Sequence, residues 1–134
     1  MITVEEELQR LGPLKHVAAA IVDYVTASAH QSKSEFHRYG YEWTLGPDNW
    51  INLNFIYGRG QHKHIHVSLG VPAAMLPSVQ GLEIKKGKWP RWSRITLASV
   101  LQLPAAFQCI ETAYYESKNK FRSKNGKPER PKAA

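Results

Sequence analysis

Trp50-Ile51-Asn52-Leu53-Asn54-Phe55-Ile56-Tyr57 and His64-Ile65-His66-Val67-Ser68-Leu69 carry the strongest structural pattern in the chain. Ile51, Leu53, Phe55 and Tyr57 alternate with Trp50, Asn52, Asn54 and Ile56, and Ile65, Val67 and Leu69 alternate with His64, His66 and Ser68. A period of two is the mark of a strand with one face toward a core. Gly58-Arg59-Gly60 opens a hairpin loop between them. If Ile51, Leu53 and Phe55 face the core, they must pair with Leu69, Val67 and Ile65, because a slip of one residue would bury the histidines. That register gathers Trp50, Asn52, Asn54, His64, His66 and Ser68 on the opposite face. Such a face suits hydrogen bonding and stacking with nucleic acid or a small ligand. The plainer alternative is a solvent face carrying one large aromatic.

Outward from this pair, Tyr41, Trp43 and Leu45 predict a preceding strand beginning at Tyr39, closed by a turn at Gly46-Pro47-Asp48-Asn49. Downstream, a connection from Gly70 to Gly81 leads to a short strand at Leu82–Lys86. Gly87 turns it into another at Trp92–Ala98. Before the strands, Thr3 and Glu6 have the spacing of a capping box, and Pro13 suits the start of a second helix. Leu14, Val17, Ala18, Ile21, Tyr24 and Val25 then recur at helical spacing, fading over the polar residues 29–34. At the far end, Pro104 fits the first turn of a helix whose Leu103, Phe107, Ile110 and Tyr114 share one face. The expected fold is α+β: an N-terminal helical region, an antiparallel sheet of about five strands, and a closing helix on the same sheet face.

The chain has 134 residues with 18 Lys or Arg and 11 Asp or Glu, a net charge of +7. Seven of those cations and a single Glu fall in the stretch from Lys118 to Ala134, so residues 1–117 are close to neutral. The expected organisation is one α+β domain over 1–117 and a flexible basic tail over 118–134. A basic arm on a near-neutral body points to a polyanion, though it serves solubility equally well. The one cysteine, Cys109, cannot form an internal disulfide. In a predicted helix with no basic neighbour it reads as a buried structural thiol. The acidic start lacks the features of a signal peptide, and no stretch approaches the ~20 apolar residues of a membrane span. Together these read as a cytoplasmic protein.

Within the body, Ile84-Lys85-Lys86-Gly87-Lys88-Trp89-Pro90-Arg91-Trp92-Ser93-Arg94 is the richest binding segment. Lys85, Lys86, Lys88, Arg91 and Arg94 can neutralise phosphates, while Trp89 and Trp92 can stack on bases. On a β-turn such a segment would be a wing. The alternative is a solvated hairpin whose indoles cover the core. His62, His64 and His66 could chelate a metal from one strand face, but a working site needs further ligands. No metal and no cofactor are expected. Pro47-Asp48 and Glu83-Ile84-Lys85 resemble the PD…(D/E)xK pattern of the restriction-endonuclease superfamily. That resemblance implies Asp48 and Glu83 on Mg²⁺, with Lys85 at the attacking water.

The hairpins followed by R-W-S-R-I-T-L (Arg91 to Leu97), a Leu-rich entry and a last helix ending I-E-T-A-Y-Y (Ile110 to Tyr115) also resemble a second group. These are small helix–sheet–helix domains of bacterial proteins, including the double-wing DNA-binding type and domains fused to nuclease-like proteins. The likeness rests on element order with Trp92, Ile95, Leu97, Ile110 and Tyr114, and implies association with nucleic acid. The leading expectation is therefore a binding protein that grips nucleic acid through Lys85, Lys86, Lys88, Trp89, Arg91, Trp92, Arg94 and the basic tail. The alternatives are a Mg²⁺-dependent nuclease, or a protein-interaction or small-ligand module in which a homodimer covers a sheet face or edge.

Overall fold

The computed structural model describes residues 3–27, 35–39, 42–46, 49–55 and 64–124. The first helix, α1 (Val4–Leu8), is closed by the expected capping box: Glu6 N–H donates to Thr3 Oγ1 at 3.1 Å, and Thr3 N–H to Glu6 Oε1 at 2.8 Å. Gly12, at a φ of 62°, breaks the chain from α1, and a 3₁₀ turn over Gly12–Leu14 leads into α2 (Lys15–Ala27). Six strands follow: β1 (Glu35–Tyr39), β2 (Glu42–Gly46), β3 (Ile51–Asn54), β4 (Ile65–Leu69), β5 (Glu83–Lys86) and β6 (Ser93–Leu97). They form one antiparallel sheet in the order β1-β2-β3-β4-β6-β5. The closing helix α3 (Leu103–Lys124) starts after a 3₁₀ turn at Val100–Gln102, where Ser99 and Gln102 form a second capping box. This is an α+β fold.

The central register is the one that the alternation demands. Ile51 pairs with Leu69 and Leu53 with Val67, and Asn52 and Asn54 stand opposite Ser68 and His66. Ile51, Leu53, Phe55, Ile65, Val67 and Leu69 are all buried. Ala106, Cys109, Ile110 and Ala113 of α3, with Ala18, Ile21 and Val25 of α2, join them in one core. On α3 the core positions are mostly small, Ala106, Cys109 and Ala113 beside Ile110. Tyr24 locks the two helices together: its ring stacks on Phe107 at 4.1 Å, and its hydroxyl donates to Glu111 Oε2 at 2.5 Å.

The expected antiparallel sheet is present, with six strands where about five were expected, because residues 35–39 form β1, which precedes the strand expected to begin at Tyr39. Only Phe36 shows the apolar signal there. The other core-side position holds Arg38, which pairs with the buried Glu7 of α1 at 3.5 Å and lies 5.7 Å over the ring of Trp43. One expectation needs correction: Trp50, expected on the polar face, lies in the core. It is only 4 % exposed and meets Tyr114 of α3 edge-on at 5.3 Å. It precedes β3, so strand alternation does not bind it, and its carbonyl accepts the Gly70 N–H at 2.8 Å. The backbone of α3 continues to Lys124, and the rest of the basic arm lies outside the described residues. No described helix is long and apolar enough to cross a membrane.

Two stability measurements check this packing. Trp50→Ala is expected to cost about 3–5 kcal/mol in denaturant unfolding, as for a core indole. Tyr24→Phe should cost about 1–2 kcal/mol, since it removes a hydrogen bond to a carboxylate and keeps the ring. Burial and Glu111 hold the Tyr24 hydroxyl protonated well above its ordinary value of 10. The unfolded chain alone releases that proton first, so the wild type, and not Tyr24→Phe, should lose stability as pH rises beyond 10.

Candidate functional site

The segment from Lys85 to Arg94 folds as a hairpin at the sheet edge. Register holds Lys85 against Arg94 and Lys86 against Ser93, and Gly87 N–H extends the ladder by donating to the Trp92 carbonyl at 2.8 Å. A Cβ on residue 87 would stand 2.9 Å from the Trp92 carbonyl carbon and oxygen, so only glycine fits there. Trp92 N–H then donates to the Trp89 carbonyl at 3.1 Å, closing a turn over Trp89-Pro90-Arg91-Trp92. Pro90 in the second position and a positive φ in the third make the pattern of a type II turn. The third residue is Arg91, at a φ of 69°, the only described non-glycine residue in the left-handed region.

This turn presents Trp89 at the tip, 57 % exposed, with Lys88 Nζ 5.4 Å over its ring. Lys85, Lys86, Lys88 and Arg91 are exposed around it, while Trp92 and Arg94 are half-buried at its base. The hairpin therefore has the components of a wing: an accessible indole, flanking cations, and a rigid turn beneath them.

The second feature is the sheet face opposite the helices. Cross-strand pairing aligns His37, Thr44, Asn52, Ser68, Arg94 and Lys85 in one row across all six strands. A shorter row beside it holds Asn54, His66, Thr96 and Glu83. His64 and His66 lie side by side, their ring centroids 4.9 Å apart. His66 is pushed down to about 4 by burial first, then by Arg94 and His64, with Lys85 adding to the effect and Glu83 opposing it. Its imidazole is thus neutral at physiological pH, offering one donor and one acceptor. Among the described residues, Asn52 is the most enclosed polar side chain on the face, 9 % exposed, and neither its Oδ1 nor Nε of Arg94 makes a hydrogen bond.

Of the sequence-predicted residues, the structure brings Asn52, Asn54, His64 and His66 together and removes Trp50 to the core. It also joins Arg94, expected only as part of the wing, to the same face. Arg94, Thr96 and Lys85 enter that face because β6 inserts between β4 and β5. Arg94 and Thr96 alternate with Ile95 and Leu97, the one sequence signal that could have placed them there. Glu83 and Lys85 share this side and pair at 3.1 Å, both well exposed. Asp48 and His62 lie outside the described residues, among which no group of three His, Cys, Asp or Glu could hold a metal ion. Cys109 is buried, and burial pushes its thiol up to about 11, so it is not a thiolate nucleophile at neutral pH.

Comparison with known proteins finds no matching family model, no matching curated protein and no matching solved structure. The chemistry of the site stands on its own residues.

His66 gives a direct check on the electrostatics of this face. Its imidazole should remain neutral at pH 5.5 in a side-chain NMR titration, when an ordinary histidine is mostly protonated. A histidine that binds its proton more weakly when folded contributes stability above pH 6.5 that is lost as pH falls toward 4. His66→Gln should flatten that part of the acid unfolding curve.

Proposed function

We propose that this chain binds nucleic acid, with the β5–β6 hairpin as the wing that makes first contact. The observation that carries the reading is the hairpin tip: Trp89 stands 57 % exposed beneath a lysine, on a turn held rigid by Pro90. An exposed indole of this size is costly to keep in water. Set among Lys85, Lys86, Lys88 and Arg91, it matches a polyanion that also offers flat aromatic surfaces. The excess of positive charge between Lys118 and Ala134 adds a sequence-independent attraction that would raise the encounter rate. A purely protective role for the edge lysines would need no tryptophan between them.

Binding of a mixed-sequence oligonucleotide, followed by fluorescence anisotropy over a salt series, tests the reading. Trp89→Ala should weaken binding by about ten-fold or more, from the loss of stacking, with little change in thermal midpoint. Arg91→Gly suits the left-handed backbone and removes one cation. It should lower the slope of log K against log salt by about 0.7–0.9 without harming the fold. If the wild type shows no salt-sensitive binding to DNA or RNA, the proposal fails.

A further inference from the structure

The helix-free face of the sheet carries an acceptor that phosphate cannot satisfy. Asn52 is nine-tenths buried at the centre of the longest polar row, and its Oδ1 lacks a hydrogen-bond donor. A buried acceptor left unmade is a standing cost that a ligand donor would remove. Two strands away on the same row, Arg94 Nε is a buried donor without an acceptor. A phosphate group offers only acceptors at neutral pH, so it could serve Arg94 and not Asn52. A nucleobase edge offers both: asparagine pairs with adenine through one donor and one acceptor, and arginine pairs with guanine. The last torsion of an asparagine is soft, so a modest rotation turns Oδ1 outward to meet such an edge.

Size then decides which form of nucleic acid can use this face. Six strands at ~4.8 Å spacing make a platform about 24 Å wide, twice the ~12 Å width of a B-DNA major groove. A face of that width does not fit into the major groove of an undistorted duplex. A single strand, with its bases splayed, can lie across it. Arg94 lies on this face and at the base of the β5–β6 hairpin, directly opposite Lys85. One strand stacked on Trp89 would therefore meet the sheet face at Arg94.

We infer that the protein's ligand is single-stranded nucleic acid, held at the wing by Trp89 and read on the open sheet face by Asn52, Ser68, His66 and Arg94. This rests on the wing reading above and adds to it the ligand's form and a base-reading surface. Ser68 supplies a hydroxyl between Asn52 and Arg94. His66 remains a neutral group that can hydrogen-bond or stack without adding charge.

The test compares a labelled single strand of about 16 nucleotides, as DNA and as RNA, with the duplex formed by its complement. The single strand is expected to bind roughly ten-fold tighter. Asn52→Ala should weaken single-strand binding by about ten-fold, as for loss of one base contact. It should leave duplex binding and the salt slope unchanged, because no charge is removed. A duplex bound as tightly as the single strand, or an Asn52→Ala protein that binds normally, overturns the inference. If Trp89→Ala still weakens binding in that case, the wing reading survives alone. If no probe binds the wild type even at low salt, both readings fall. Should Asn52→Ala not fold, photo-crosslinking of a thiouridine-bearing strand to the wild type decides. Adducts in the segments around Asn52 or His66 support the platform, and adducts confined to the hairpin around Trp89 refute it.

Discussion

The pairing of β3 with β4 is the constraint on which the rest of the molecule depends. With Leu53 opposite Val67 and Ile51 opposite Leu69, five branched apolar side chains from these strands meet α2 and α3. Each contributes about 1.5–3 kcal/mol on burial. A slip of one residue would replace them with Asn52, His66 and Ser68 and expose the apolar set to water. The same register that builds the core therefore assembles the polar face. Neither side of the sheet can change alone, and a substitution that loosens the core also disorders the row running from His37 to Lys85.

The strand order adds what the central pair cannot supply. β6 lies between β4 and β5, so the last hairpin in sequence forms one edge of the sheet. Exposed edges invite pairing with other chains, and charges are the usual protection. Glu83, Lys85 and Lys86 meet that need on β5. Protection does not explain the tip, where a large indole is displayed when a smaller polar residue would be safer. Nor does it explain Ser68 and Arg94, which stand on inner strands, Ser68 beside Asn52 and Arg94 next to it.

Much of this was legible in the sequence because it is carried by periodicity and by turn chemistry. The alternation around Leu53 and Val67 is unbroken, the Thr3–Glu6 box is local, and Gly87 with Pro90 marks a hairpin. Elements whose signals depend on a distant partner were hidden. Arg38 occupies a core-side position in β1 because Glu7, thirty-one residues earlier, neutralises it. Trp50 resembles a platform aromatic until Tyr114 is brought over it by α3. Arg94 joins the polar face only through the crossover, which no local pattern records. The polar face was thus readable as a set of residues from two strands, and its extension across β6 and β5 was not.

Arg91 ties the geometry of the hairpin to its use. The third position of a type II turn asks for a positive φ, which glycine adopts freely and a residue with a Cβ does not. Holding arginine there costs on the order of 1–2 kcal/mol, a sizeable share of the 5–15 kcal/mol that keeps a small domain folded. Nothing in the turn itself repays this: its closing hydrogen bond runs between Trp89 and Trp92, and Pro90 sets the backbone. The guanidinium stands exposed two residues from Trp89, so the strained backbone sets a charge beside an exposed aromatic surface at the tip of the hairpin.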